Sequence, residues 1–86
     1  MRVEVRAVGL REMRRTRGLT QRQVARDLGI SINYIPAIEA NDRQAGPKLQ
    51  QQLMKYFGCS FEELFQVVLI DPEGRTELIL EPRRTA

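Results

Sequence analysis

The side chains here that could do chemistry are mainly arginines, carboxylates and amides, because the sequence holds no histidine and a single cysteine, Cys59. One cysteine cannot form a disulfide within its own chain, and a His/Cys metal site has no ligand set. A Ser–His or Cys–His nucleophile lacks its base. No phosphate-cradling glycine loop is present either. What remains is charge and hydrogen bonding. Residues 1–30 carry eight arginines against three acids, a net +5, while residues 31–86 carry six Lys and Arg against eight acids, a net −2. Such an asymmetry suits a polyanion, since neutralising phosphates supplies most sequence-independent affinity for nucleic acid. The other reading of the same arginines is a set of solvated helix faces.

These groups need a frame. Eighty-six residues, 42% hydrophobic and 29% charged, are enough for one small folded domain. No apolar run approaches the ~20 residues needed to cross a bilayer. The start, MRVEVRAVG, has no apolar core of the secretory type. With the lone thiol, this gives an expected cytoplasmic location.

Periodicity divides the chain in three. Residues 2–8 alternate charged and apolar, which predicts a strand ended by Gly9. Residues 10–65 read as short helices. Leu10 and Met13 stripe the first, and Gly18 stops it. Thr20 and Gln23 form a capping box for the second, which buries Val24, Ala25 and Leu28 and closes at Gly29. Ser31 is a start signal for a third helix with Ile32, Ile35 and Ile38 at helical spacing, and Asn41 stands where a left-handed residue would stop it. Pro47 opens a fourth helix with Leu49, Leu53 and Phe57 buried and Gly58 at its end. Ser60 and Glu63 cap a fifth that buries Leu64 and Phe65. In residues 66–81 two β-favouring runs flank Asp71-Pro72-Glu73-Gly74, a hairpin signal, and Pro82–Ala86 reads as a frayed tail.

The middle segment resembles the lambda-repressor-like, Xre/Cro-type helix-turn-helix family. The residues that carry the resemblance are Gly18-Leu19-Thr20-Gln21, Val24-Ala25, Leu28-Gly29-Ile30-Ser31, Tyr34-Ile35, Ile38-Glu39, Gly46-Pro47, Leu53, Phe57-Gly58 and Ser60–Phe65, colinear over residues 10–65. The resemblance implies a mainly α fold over residues 10–65, the five helices of a helix-turn-helix DNA-binding domain; the short N-terminal strand (1–9) and the C-terminal β-hairpin and tail (66–86), read from periodicity and turn chemistry, lie outside it. It implies a sequence-specific, double-stranded-DNA-binding transcriptional regulator of the repressor kind, not an enzyme, with no cofactor and no metal. The third helix, expected at 32–40, would enter the major groove.

By the same resemblance, Ile32, Asn33 and Ala37 occupy base-reading positions, with Pro36 beside them. Asn33 is the one clear reader, because its amide can pair with adenine N6 and N7, and Ile32 can touch a thymine methyl. Gln21 matches a phosphate ligand, and Thr20, Ser31, Tyr34, Asn41, Arg43 and Gln44 flank the groove. Plainer readings stand beside these: Asn33 facing water, Ile32 as stray core, Tyr34 as core and Arg43 as a solvated charge. Arg14 and Glu39 match an ion pair that fixes the third helix. Cys59 reads as a small buried residue.

Two features depart from the family pattern. The reading set is nearly apolar, which means methyl and shape readout, weak discrimination, or a face that meets protein. Pro36 falls just past the first turn of a helix started at Ser31, so an opened N-terminal turn is expected there. The hairpin runs are apolar on both faces, and one face needs a cover. The expectation is a sheet built from 2–8 and 66–81 that also forms a homodimer interface, placing two third helices one DNA turn apart. The alternative is an antitoxin-like protein-interaction module that uses the β-tail and the apolar reading face.

Overall fold

Local capping chemistry sets most of the element ends. The computed structural model describes residues 2–71, 73 and 77–79. Among these the chain runs β1 (Arg2–Arg6), α1 (Leu10–Thr16), α2 (Gln21–Leu28), α3 (Tyr34–Glu39), α4 (Pro47–Phe57), α5 (Phe61–Leu64), β2 (Gln66–Ile70) and β3 (Glu77–Ile79). It is a mainly α fold of five helices with a small sheet. Thr20 caps α2 through a complete capping box, its Oγ1 accepting from the Gln23 N–H at 3.0 Å. Ser60 and Glu63 form the second box at α5. α2 ends on Gly29 at φ 71°, and Asn41 follows α3 at φ 64°. Asn tolerates that left-handed position better than most side-chain-bearing residues.

The apolar stripes converge on one core. Leu10, Val24, Ala25, Ile35, Ile38, Leu53 and Leu64 are almost wholly excluded from solvent, with Phe57 and Phe65 beside them. Burying each such side chain contributes roughly 1.5–3 kcal/mol. Gly9 joins the sheet to this core by close approach. Its N–H donates to the Leu64 carbonyl at 3.0 Å, and a Cβ at this position would collide with the Glu63 carbonyl oxygen. β1 stops at Arg6, short of the expected 2–8, so this close approach, and not the end of the strand, is what Gly9 serves.

The sheet has the order β1-β2-β3 and is antiparallel throughout. Val3 pairs with Leu69, Glu4 with Val68, Val5 with Val67, and Leu69 with Leu78. The N-terminal strand is therefore the third strand of the hairpin sheet, as its alternation predicted. On one face, Val5 packs against the helical core. The opposite face carries Arg2, Glu4 and Arg6, with Glu4 bonded to both arginines. Val68 and Ile70 share that face by register and are already 1% and 3% exposed within the single chain. The expected need for a partner to cover the second face is thus removed. Pro72, Gly74, Leu80 and the tail 82–86, assigned above to the hairpin turn and its end, lie outside the described residues.

Candidate nucleic-acid interface

The third helix starts two residues later than its spacing predicts. It covers Tyr34–Glu39 in place of 32–40, and Ser31 is not its N-cap. The physical reason is Pro36. Its ring would strike the carbonyl of Ile32 in a helix continuous from Ser31. Residues 31–33 therefore form a turn. Ser31 Oγ accepts the Asn33 N–H at 3.2 Å, and the Ser31 carbonyl accepts the Tyr34 N–H at 3.0 Å. With Asn33 as N-cap, Pro36 is the third helical residue, where no intrahelical N–H bond is due. The opened turn is real, and it removes the clash.

This turn leaves Ser31, Ile32 and Asn33 exposed at the front of α3, with Ile32 at 47%. Pro36 and Ala37 are half-buried. Tyr34 packs its ring partly on the core, and the Arg43 guanidinium lies 4.9 Å above that ring, a cation–π contact. The loop returns to α3 because the Asp42 and Arg43 N–H groups both donate to the Ala37 carbonyl, at 2.9 and 3.2 Å. Ser31, Asn33, Tyr34, Ala37 and Arg43 together line a shallow concavity of about 270 Å³. Asn41 lies exposed at the loop start. Gln44 turns elsewhere: its Oε1 accepts the Val5 N–H at 2.7 Å, tying the loop to β1.

Behind α3 sits a charged clamp. Arg14 grips Glu39 with two bonds, Nε at 2.7 Å and Nη2 at 3.1 Å, while its Nη1 donates to the Leu19 carbonyl at 2.9 Å. Gln21 Nε2 donates to Glu39 Oε1 at 2.9 Å, and Arg11 stands 3.7 Å from the same oxygen. The Glu39 side chain is 2% exposed. Burial pushes its carboxyl up, but the bonds from Arg14 and Gln21 and the two arginine charges outweigh this and hold it below the ordinary value of 4.5. Gln21 thus spends one amide donor inside the protein.

Thr20 and Gln21 also line a basic depression with Arg11, Arg14, Arg15, Gly18 and Leu19. Arg11 and Arg15 were not singled out by sequence reasoning. The signal that could have found them is their spacing of four, which sets them on one side of α1. Cys59 is half-buried and packs on the core. Burial raises its thiol pKa, Glu63 adds to this and Arg17 opposes it, so thiolate character is low. Among the described residues no cluster of three or more His, Cys, Asp or Glu could hold a metal ion, and no helix is long and apolar enough to cross a membrane.

A family model described as helix-turn-helix matches residues 10–64, most of the chain and all five helices. The chain belongs to the Xre/lambda-repressor-like helix-turn-helix family. A search of the curated proteins finds no match to it. Helix-turn-helix domains of this family are DNA-binding regulatory modules, typically without catalysis, and the chain is a DNA-binding regulator in that sense. The α2–α3 pair is its helix-turn-helix unit, with Gly29–Asn33 as the connecting turn.

Proposed function

We propose that this helix-turn-helix protein is a sequence-specific transcriptional repressor that sets α3 and the turn before it into the major groove of double-stranded DNA. The observation that carries this is the exposure of Asn33 and Ile32 at the leading end of α3, on a helix locked from behind by the Glu39 clamp. Asn33 reads adenine, Ile32 meets a thymine methyl, and Ala37 with Pro36 allows close approach. Ser31, Tyr34, Asn41 and Arg43 flank the groove. Thr20 and Gln21, with Arg11 and Arg15, take the phosphate backbone. Gln44 acts on DNA through the loop it fastens. Two copies, joined through their β-segments, read a two-fold operator with half-sites about 34 Å apart. Repression follows from occupying promoter DNA. The free, poorly ionised thiol fits work in a reducing compartment, the cytoplasm.

Selection of bound DNA from a random pool tests the reading. Wild-type protein should enrich a two-fold motif with an adenine step that Asn33→Ala no longer enriches. Failure to enrich any motif, together with co-purification of one protein partner, would replace it with the interaction-module reading, which the exposed Ile32, Val3 and Val8 favour.

A further inference from the structure

Among the described residues β1 lies at the outer edge of the sheet, with β2 on its inner side only. Val5 donates its N–H outward to Gln44, away from β2. Backbone groups of an antiparallel strand point alternately to its two edges. Val3 shares the phase of Val5, so its N–H and C=O point to the outer edge, where no described residue bonds them. Its side chain is 54% exposed. Arg2 and Glu4, of opposite charge, stand symmetrically on either side of it.

A strand with opposite charges placed symmetrically about one residue complements itself when turned about a two-fold axis through that residue. An axis at Val5 fails because Gln44 already occupies that N–H. An axis at Glu4 fails because it opposes Glu4 to Glu4 and Arg2 to Arg6. Of the three, the axis at Val3 leaves the central N–H and C=O free and matches the charges, and Gln44 at Val5 limits the paired segment to residues 2–4. The sheet face offers no competing site, since Val68 and Ile70 are already buried.

We propose that two copies of this chain pair edge to edge through β1, antiparallel and centred on Val3, to make one continuous six-stranded sheet. The two Val3 residues exchange N–H···O=C bonds, and Arg2 of each copy faces Glu4 of the other. This deepens the two-copy reading above and rests on it. The paired segment is short, so the operator reinforces it by holding both copies at high effective concentration.

Sedimentation without DNA tests the pairing. Wild-type protein is expected to dimerise with rising concentration. Val3→Pro removes an outward N–H and spares the bonds to β2, so the fold persists by circular dichroism while self-association weakens by about tenfold or more. Arg2→Glu alone and Glu4→Arg alone each oppose like charges and are expected to stay monomeric where wild type dimerises. An equimolar mixture of those two variants restores opposite charges at both positions and should recover the dimer, which a folding defect cannot imitate. Wild-type protein that stays monomeric throughout, variants that dimerise as well as wild type, or a mixture that stays monomeric would each overturn the pairing. Binding to single half-site DNA reads the other hypothesis separately: monomers that bind it leave DNA recognition standing, and dimers that bind no DNA refute recognition alone.

Discussion

Glu39 accepts from Arg14 twice and from Gln21 once, on a side chain almost closed to solvent. Removing it strands the Arg14 guanidinium, whose side chain is 11% exposed. Breaking a buried pair this way costs about 3–5 kcal/mol, and the remaining bond to Leu19 sets the expectation for Glu39→Ala at the low end, about 3 kcal/mol by denaturant unfolding. The folded carboxyl lies below its ordinary 4.5, so its ionised form stabilises the fold. That contribution is fully present above 4.5 and is lost as pH falls through the depressed folded value. The stability gap between wild type and Glu39→Gln should therefore close in acid, and a gap that widens there would refute the clamp. Asn33 is the opposite kind of residue, exposed and with no cap hydrogen bond from its side chain. Asn33→Ala should leave the melting temperature within a degree or two. It should cost ~1–3 kcal/mol of discrimination at one base pair, measured by competition between DNA sequences.

Among the elements, α3 shows what local sequence can and cannot say. Its residues, its apolar stripe and its Asn41 stop were legible because they are short-range properties. Its start was not, because the Ser31 cap signal competes with the reach of the Pro36 ring back to Ile32, and sterics win. Pro36→Ala should let Ile32 and Asn33 join the helix, with Ser31 then acting as N-cap. Chemical shifts at both residues should move toward helical values, with stability changed by no more than about 1 kcal/mol. Unmoved shifts would mean that something other than the ring sets the boundary. Gly9 and Gln44 were illegible for a different reason. Their partners, Glu63 and Leu64 for one and Val5 for the other, lie far away in sequence. Gly9→Ala should cost about 1–3 kcal/mol in thermal or urea unfolding, since a backbone carbonyl and not a flexible side chain must give way. The site was legible to the same degree. The exposed residues 31–33 stood in the expected order and the spacing of Arg11 and Arg15 was there to be read, while the sharing of Glu39 by Gln21 emerged only from packing.

For the molecule as a whole, charge separates into a basic N-terminal third and a mildly acidic remainder. DNA affinity should fall linearly with log salt, with a slope of about −0.9 for each phosphate neutralised. Arg43→Ala should reduce that slope by about one and weaken all sequences alike, since a phosphate contact carries no base information. A change confined to one motif would mean that Arg43 reads bases. The bond from Gln44 to Val5 couples the loop behind α3 to the sheet edge across 39 residues of sequence. Retargeting this protein to another operator by transplanting the whole segment from α3 through its loop would therefore cut the brace that steadies β1. Exchanging Ile32, Asn33 and Ala37 alone would leave the brace, the clamp and the core in place. On the proposed reading, the protein divides into three replaceable letters and a frame that does not need to be rebuilt when they change.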